Sequence, residues 1–199
     1  MNKSFPCATL TGVLLSAFAT LAHADNRLDV SLGLVSIRPD IESPVVGADA
    51  SNETKPMLNL TYYLNENLAL NTAAGITRHT FSAGGATLGK ASMAPFHLML
   101  QYHFMPKSDF SPYVGAGIHH TVFFDKSGPV FDGLRGFPAD TGAVLQAGFD
   151  YAVNKDYFIN FDVKKFYLET DVRPGGGGAK IETIKLDPLM IGLAVGRRF

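Results

Sequence analysis

The stretch Pro95–Phe104, with the sequence PFHLMLQYHF, decides the fold of this chain because apolar and polar residues alternate along it. One face would carry Phe96, Leu98, Leu100, Tyr102 and Phe104, and the other would carry His97, Met99, Gln101 and His103. A helix would spread these rings around its circumference, whereas a strand gathers them on one side. The pattern therefore predicts a β-strand with one strongly apolar face.

Similar alternation recurs along the chain and divides it into eight segments of strand length. We predict strands at Leu28–Ile37, Met57–Leu64, Leu68–Phe81, Pro95–Phe104, Pro112–Phe124, Gly142–Val153, Tyr157–Val172 and Ile181–Phe199. Very short connections alternate with long ones, as in bacterial outer-membrane barrels, whose short turns and long loops lie at opposite ends. We therefore predict an all-β fold, an eight-stranded antiparallel transmembrane β-barrel with apolar side chains facing lipid.

The long connections are expected to be irregular loops. They cover Arg38–Lys55, Ser82–Met93, Asp125–Thr141 and the glycine run Gly175–Gly178. The last strand should be interrupted at Asp187-Pro188, because proline cannot donate a hydrogen bond to the ladder.

The amino terminus has the pattern of a secretory signal peptide. Lys3 supplies a positive charge, Leu10–Leu21 supplies a short apolar core, and Ala22-His23-Ala24 is a small-residue cleavage pattern. We expect residues 1–24 to be removed, which leaves a single barrel domain at residues 25–199.

Composition narrows the class of protein. The chain has 17 basic and 18 acidic side chains, and this near balance gives no electrostatic reason to expect nucleic-acid binding. Hydrophobic residues make up 46% of the chain, although no apolar run after Ala24 is long enough for a spanning helix. A barrel explains both facts, because only alternate residues of its strands face lipid. The single cysteine, Cys7, lies in the predicted signal, so that no disulfide is expected.

A soluble lipocalin-like barrel or a β-sandwich is the alternative fold, but neither would need apolar residues on its outside. Six aromatic residues favour the membrane, because they fall on the outward face close to the short turns. They are Tyr62, Tyr102, Phe104, Tyr151, Tyr157 and Phe199. They would form an aromatic girdle at one membrane interface. As in other outer-membrane barrels, this end would face the periplasm and carry both termini.

Several motifs resemble the OmpW family of small outer-membrane barrels. They are Pro112-Tyr113-Val114-Gly115-Ala116-Gly117-Ile118 followed by Phe123-Phe124-Asp125, Gly148-Phe149-Asp150-Tyr151 with Asn154-Lys155-Asp156, Leu186-Asp187-Pro188, and the closing Gly196-Arg197-Arg198-Phe199. The resemblance implies a narrow, largely apolar lumen that helps small hydrophobic compounds cross the lipopolysaccharide layer. The family also includes surface receptors for bacteriocins.

The resemblance also implies that Phe199 is part of the signal read by the barrel-assembly machinery. Members of the family usually carry an aromatic residue two positions before the final phenylalanine, where this chain has Arg197. A lipid-facing arginine near the interface costs only about 0 to 1 kcal/mol, so that folding should survive. We expect recognition by the assembly machinery to be weaker.

The inward positions of the strands supply the candidate functional residues. We assign to the lumen Ala73, Met99, Gln101, Phe123, Val144, Phe158, Asp162, Lys164 and Phe166. The apolar lining nearer the outer half would come from Met99, Phe123, Val144, Phe158 and Phe166. Asp162 and Lys164 could pair across neighbouring strands and fill the barrel, because an eight-stranded interior is just wide enough for side chains.

We expect no catalytic centre, no metal site and no cofactor. Adjacent His119 and His120 would point to opposite faces of a strand, and His97 and His103 would lie about 20 Å apart. Some small outer-membrane barrels modify lipid A. Residues for such an enzyme could be Ser92, Ser127, His79, His120 and Glu169, but nothing in their spacing requires it.

We therefore expect hydrophobic solutes to enter among the long loops, rest in the aromatic upper lumen and leave sideways into the bilayer, because the lower lumen is filled. The alternative is a closed structural or adhesive barrel whose loops, particularly Arg38–Lys55 and Asp125–Thr141, bind surface ligands. The other expected partners are outer-membrane lipid, lipopolysaccharide and the barrel-assembly machinery. Lys165 could reach the lipopolysaccharide phosphates.

Overall fold

The computed structural model describes residues 27–43, 47–128, 139–172, 179 and 182–199, which we call the described residues. Residues 1–26, which include the predicted signal peptide and its cleavage point, lie outside them, so that the signal peptide stays a prediction. Within the described residues, no helix has the length and apolar character needed to cross a bilayer.

The described residues form twelve β-strands. They are β1 (Leu28–Arg38), β2 (Ala48–Ala50), β3 (Glu53–Tyr63), β4 (Leu68–Ala74), β5 (Thr77–Ala83), β6 (Ala86–His103), β7 (Phe110–Ser127), β8 (Asp140–Ala152), β9 (Tyr157–Phe166), β10 (Glu169–Val172), β11 (Glu182–Lys185) and β12 (Leu189–Arg198). Ten of them make one sheet that closes through the pairing of β6 with β7, and β10 pairs with β11. β4 and β5 are two parts of one wall strand, because both pair with β6. The wall therefore has eight antiparallel strands, which confirms the predicted barrel.

The two ends of the barrel differ in their connections. At the short-turn end the strands are joined by residues 64–67, 104–109 and 153–156, and the turn between β5 and β6 lies at the opposite, long-loop end. Two of the short turns are built alike. Asn65 and Asn154 each accept hydrogen bonds, of 2.8 to 2.9 Å, from the backbone N–H groups two and three residues later. Such side-chain bonds replace the backbone bonds that a tight turn leaves unmade.

The loop predicted at Ser82–Met93 is wrong. Only Gly84 and Gly85 join β5 to β6, and Ala83 pairs with Ala86. The two glycines have φ angles of 55° and 81°, which suit a type I′ hairpin turn. The composition of small residues was typical of a loop, but two consecutive glycines adopt positive φ without steric cost and let both strands continue to the turn.

Two other long connections are shorter than predicted. β3 begins at Glu53 and β7 continues to Ser127, so that both strands run into the segments expected to be loops at Arg38–Lys55 and Asp125–Thr141. β2 also lies within the first of these segments and pairs with β5. Residues 129–138 lie outside the described residues.

The interruption predicted at Asp187-Pro188 is confirmed. β11 ends at Lys185 and β12 begins at Leu189, while Asp187 has a φ of 20°. The glycine run Gly175–Gly178 lies outside the described residues.

Apolar side chains cover the outside of the wall. Leu32 and Leu34 on β1 are 62% and 60% exposed, and Ile118 on β7 is 62% exposed. Five of the six predicted girdle residues are among the exposed large side chains, namely Tyr102, Phe104, Tyr151, Tyr157 and Phe199. This surface suits a hydrocarbon environment, because apolar side chains gain nothing from contact with water.

The interior is divided into layers along the barrel axis. Nearest the short-turn end is a polar layer of Gln101, Tyr113, Gln146, Asn160, Asp162 and Lys164. The apolar layer follows and consists of Val35, Ile37, Met99, Val144, Phe166 and Met190. The upper cluster lies nearest the long-loop end and consists of Phe81, Ala91, Met93, Phe123, Leu168, Ile184 and Leu186.

A buried ion pair stands in the polar layer. Lys164 Nζ donates to Asp162 Oδ2, and the two side chains are only 1% and 5% exposed. Gln146 Nε2 donates to the same oxygen at 2.5 Å, and Gln146 Oε1 accepts from Gln101 Nε2 at 2.8 Å. The prediction that Asp162 and Lys164 pair across neighbouring strands is wrong, because both lie on β9, two residues apart, where side chains share one face.

Close approach of the strands explains one glycine of β7. A first side-chain carbon at Gly117 would overlap the carbonyl oxygen of Leu98 and Cα of Met99 on β6. We expect Gly117→Val to lower the free energy of unfolding by at least about 1 to 3 kcal/mol, because the strands must move apart. The folded fraction after refolding into detergent, measured by gel mobility before and after boiling, checks this.

Gly75→Ala is the matched control for this variant. The nearest heavy atom to its new carbon would be the carbonyl oxygen of Pro56 at 3.7 Å, an ordinary contact. This variant should refold as the wild type does. Equal folding of Gly117→Val and Gly75→Ala would contradict the role of close strand approach.

The buried ion pair gives a second prediction. Lys164→Met leaves the Asp162 carboxylate buried without its cation, and we expect the free energy of unfolding to fall by about 3 to 5 kcal/mol. The double variant D162N/K164M removes both charges and should recover most of that loss. Urea titration in detergent followed by circular dichroism measures both. Equal losses in the two variants would show that the charges do not compensate each other.

Candidate functional site

A vestibule of about 580 Å³ opens at the short-turn end. Its lining includes four cationic side chains, Arg27, Lys107, Lys155 and Arg198. Asp29 lies at its inner end, where Oδ2 accepts a hydrogen bond from the Tyr63 hydroxyl at 3.2 Å. The vestibule is polar and charged, so that it suits water better than an apolar solute.

The polar layer closes the vestibule on its inner side. The cavity beside this layer has a volume of only about 10 Å³, because large side chains fill the space left by glycines. A first side-chain carbon at Gly192 would lie 2.5 Å from Asp162 Oδ1. The axis of the barrel is therefore closed at this level in the structure.

The apolar layer meets a gap in the wall, which we call the seam. β3 pairs with β4 from Leu58 to Tyr63, and the next backbone bond between these parts of the chain joins Ser51 N–H to the carbonyl oxygen of Thr80 at 3.0 Å. Within the continuously described range 47–128, residues 52–57 and 75–79 face each other without backbone pairing. The wall is interrupted here although the barrel as a whole is closed.

Two prolines flank the seam. Pro56 lies on β3. Pro95 lies on β6 between Met93 and His97, whose partners are Thr77 on β5 and Ala73 on β4. Neither proline has a backbone N–H, so that neither can donate to a ladder at this point. The sequence therefore prevents complete pairing at the seam.

A small cavity lies behind the seam, inside the barrel. Its volume is about 20 Å³, and its lining is mainly apolar. The lining residues are Val35, Ile37, Lys55, Pro56, Met57, Ala73, Gly75, Thr77, Pro95, His97, Phe166 and Met190. The cavity thus joins the seam to the apolar layer, with which it shares Val35, Ile37, Phe166 and Met190.

A hydrogen-bond chain closes the seam on the side of the long-loop end. His79 is fully buried, and its Nδ1 lies 2.8 Å from the carbonyl oxygen of Ser51. Its Nε2 lies 3.0 Å from Thr77 Oγ1. Ser51 Oγ donates to Glu53 Oε1 at 3.2 Å, which links β5 through Ser51 to the start of β3.

Further contacts fold the first long connection over the long-loop end. The backbones of Glu42 and Lys185 exchange hydrogen bonds of 3.0 and 3.2 Å. Their side chains form an ion pair of 3.2 Å, and the hydrogen bond to Glu42 raises the pKa of Lys185. Ile41 of this connection packs against the upper cluster.

The structure brings the predicted lumen residues together inside the barrel, where all nine are less than 8% exposed. They are Ala73, Met99, Gln101, Phe123, Val144, Phe158, Asp162, Lys164 and Phe166. They do not form one site, because they are divided between the vestibule side, the polar layer, the apolar layer and the upper cluster. Whether any of them contacts a solute stays a prediction.

Phe158 does not lie in the outer half, where it was expected. It is the second residue of β9 and packs on Gly196 near the short-turn end, with the Arg198 guanidinium 5.4 Å from its ring centre. The alternation gave its face correctly, but its height follows from its distance along β9 from the turn at 153–156.

Sequence reasoning missed several residues of the seam cavity and the apolar layer. Val35 and Ile37 line both, together with Met190 from β12. Alternation along β1 turns Asp29 and Ser31 inward, and it also turns Val35 and Ile37 inward. Met57 lines the cavity at the break in strand pairing, and the sequence of a single strand does not show such a break.

The histidines among the described residues have partners other than one another. His97 and His119 are cross-strand neighbours, which the sequence analysis did not consider. Their ring nitrogens lie close to other groups: His97 Nε2 is 3.2 Å from Asn71 Oδ1, and His119 Nε2 is 2.8 Å from the carbonyl oxygen of Tyr167. In the described part of the chain, no three histidine, cysteine or acidic side chains are grouped as metal ligands would be.

The residues considered for an enzyme are dispersed between the two faces of the wall. His79 is buried inside, whereas His120 faces outward with its Nδ1 2.8 Å from Thr141 Oγ1. Ser127 accepts a hydrogen bond from Arg78. Ser92 is paired with Arg78 between β6 and β5, and the backbone N–H of Glu169 binds Asp140.

Lys165 has two partners within the protein. Its Nζ donates to the carbonyl oxygen of Asp187 at 2.8 Å and forms an ion pair of 3.3 Å with Asp40. The sequence placed it correctly on β9, but its partners come from two distant segments.

Comparison with known proteins agrees with the observed barrel. The sequence model of the OmpW family matches residues 27–199. An uncharacterised outer-membrane protein of Sinorhizobium fredii is 38% identical over 169 residues, which cover 78% of this chain and 71% of the relative. The dibenzothiophene metabolism operon protein PahQ of Pseudomonas aeruginosa is 31% identical, with 78% of this chain and 76% of the relative covered.

A solved structure shows the same architecture. The structure of the Escherichia coli outer membrane protein W, determined by NMR in solution, superposes with a TM-score of 0.65 at 28% identity. The superposition covers 89% of this chain and 100% of that protein. The chain therefore belongs to the OmpW family of outer-membrane β-barrel proteins.

Proposed function

We propose that this barrel admits small hydrophobic molecules among its long loops and releases them sideways through the seam into the bilayer. The observation that carries the proposal is the position of the seam, which interrupts the wall at the level of the apolar layer. In this proposal the long loops face the outside of the cell, both termini lie in the periplasm, and residues 1–24 are removed during export. The solute crosses unchanged, without a catalytic step or a cofactor.

The layers of the interior support a sideways exit. A solute on the long-loop side contacts the upper cluster and then the apolar layer, where burial of apolar surface is favourable by about 25 cal/mol per Å². To continue along the axis it would have to displace the ion pair of Asp162 and Lys164, and separating a buried pair costs about 3 to 5 kcal/mol. The route through the seam avoids this cost.

Passage requires the side chains at the seam to move. The seam cavity of about 20 Å³ has room for roughly one water molecule. Met57 and Met190 line it, and methionine is unbranched and changes rotamer easily. No backbone bond has to break at the seam, so that a solute would have to displace side chains only.

The name of one relative is consistent with solutes of this class. PahQ is named for an operon of dibenzothiophene metabolism, and dibenzothiophene is an apolar aromatic compound. We extend this class of solute to the present barrel because the apolar layer and the upper cluster lie above its polar layer. Outer-membrane lipid surrounds such a barrel, and we propose lipopolysaccharide and the barrel-assembly machinery as further partners.

One observation favours the alternative function, a closed structural or adhesive barrel whose long loops act as a surface receptor. The interior is packed, with cavities of only about 10 and 20 Å³ beside the polar layer and the seam. The two functions differ in one physical requirement. Transport needs the seam to open, and a structural barrel does not.

A disulfide across the seam separates the two functions. The first side-chain carbon of a cysteine at position 75 would lie 4.0 Å from Met57 Cγ, whose place the sulfur takes in a cysteine at position 57. A disulfide between the two positions therefore needs only a small approach of the two segments. In a deletion strain carrying G75C/M57C, oxidation should lower naphthalene uptake to the level of the empty strain, and a thiol reductant should restore it. Uptake of a sugar should not respond.

The control joins the same two strands where they are already paired. Tyr62 and Leu70 are cross-strand partners, and oxidised Y62C/L70C should take up naphthalene as the wild type does. If the oxidised seam variant also takes up naphthalene at the rate of the wild type, sideways release is excluded and the structural barrel is favoured.

The carboxyl terminus gives a prediction for assembly. The backbones of Phe199 and Leu28 exchange hydrogen bonds of 2.8 and 3.2 Å, while the Phe199 ring is 39% exposed. If the ring is read by the assembly machinery, Phe199→Ala should lower the amount of folded barrel in the outer membrane several-fold. Refolding of the purified protein into detergent should hardly change, because the ring fills no space in the interior.

Phe104→Ala is the control, since Phe104 is another exposed ring at the same end. It should leave both the amount in cells and refolding unchanged. Gel mobility before and after boiling measures folded barrel in both settings. Equal amounts of the two variants in cells would exclude a special role of the final phenylalanine.

A further inference from the structure

Two cationic side chains lie on neighbouring strands of the outer surface near the long-loop end. Arg78 on β5 and Lys90 on β6 are both exposed, and we call them the cationic patch. Lys90 pairs across the sheet with Thr80 on one side and with Ser127 on the other. Arg78 Nη2 reaches across β6 and donates to Ser127 Oγ at 3.2 Å, so that the three neighbouring strands contribute to one surface.

An irregularity in the sheet produces this surface. The pairing of β6 with β7 shifts between Lys90 and Ser92, and Asp125 on β7 has a φ of 48°. The alternation of inward and outward residues is lost there, and residues 124–127 are all exposed. The bulge therefore presents consecutive polar residues to the outside of the barrel.

The cationic patch borders directly on the apolar outside of the wall. Ser92 pairs with Arg78 on one side and with Phe124 on the other, so that these residues stand at one height. One step toward the short-turn end the outward residues are Ile76 and Val122, which are 64% and 43% exposed. The cations thus stand where the hydrocarbon of a bilayer would end and its polar headgroups would begin.

The charges fit a phosphate group at this depth. The patch has two cations, and among the described residues the carboxylate paired with it is that of Asp125, which forms an ion pair with Arg78. Both members of this pair are about half exposed, at 45% and 57%, and exposed ion pairs contribute only about 0 to 1 kcal/mol. Arg78 can therefore exchange its partner, and a guanidinium offers two parallel donors to phosphate oxygens.

We propose that the cationic patch binds the phosphate groups of lipid A in the outer leaflet. This inference rests on the orientation in the proposed function, with the long loops outside the cell. Lys165, which the sequence analysis considered for this contact, has partners in Asp40 and Asp187. The cationic patch differs from Lys165 because apolar residues lie directly beside the patch. An acyl chain of the lipid would pack on these residues while its phosphate binds the cations.

The test compares vesicles that differ only in phosphate content. Wild type in phosphatidylcholine vesicles should unfold at a higher temperature when diphosphoryl lipid A is added, and monophosphoryl lipid A should raise this temperature less. In R78Q/K90Q the increase caused by diphosphoryl lipid A should fall by at least half. The control K107Q/K155Q removes two cations at the short-turn end and should respond as the wild type does.

Two results would overturn the inference: an unchanged response in R78Q/K90Q, or no effect of lipid A on wild type. If the double variant does not fold, Lys90→Gln alone is measured, since it leaves the ion pair of Arg78 in place, and an unchanged response then also overturns the inference. Binding is measured without uptake, so that it can fail independently of transport.

A second experiment tests the orientation. The variants Thr87→Cys and Lys107→Cys are treated with a thiol reagent on intact cells, and labelling only at position 107 would contradict the orientation.

Discussion

The barrel depends on one constraint of the hydrocarbon environment: each backbone N–H and C=O group within it must find a partner in the protein. A group without a partner costs several kcal/mol, so that a sheet can cross a membrane only when it has no free edge. The pairing of β6 with β7 removes the last edge. At the seam two of these groups are absent, because Pro56 and Pro95 have no backbone N–H.

The same closed wall creates an interior that the chain fills in two different ways. Toward the short-turn end, charged and amide groups satisfy one another, with the Asp162 carboxylate receiving both Lys164 and Gln146. Toward the long-loop end, aliphatic, aromatic and methionine side chains fill the space. An apolar molecule therefore meets a similar environment in the upper half of the barrel and in the surrounding lipid. The boundary between the two halves falls at the height of the seam, which gives this gap its importance.

Alternation along each strand was sufficient to predict the number of strands, their faces and most of their limits, because a strand in a barrel has one side in lipid and the other in the core. It failed where a local feature decides the outcome. Gly84 and Gly85 form a tight turn instead of a loop, and the height of Phe158 depends on where β9 begins. Alternation on one strand also cannot show which strands fail to pair. The seam and the cationic patch both arise from register between strands, which becomes visible only when three neighbouring strands are aligned.

The two prolines at the seam also bear on how fast the wall could respond. Opening a gap in an ordinary β-ladder means breaking several backbone hydrogen bonds together, which belongs to local unfolding on a scale of microseconds to seconds. At the seam such bonds are already missing, and the space is filled by side chains such as Met57 and Met190. Met190 is buried, so that an opening here depends on how these side chains are packed rather than on the breaking of a backbone ladder. The wall can thus be stable as a whole and still have a place where opening would require the rearrangement of side chains alone.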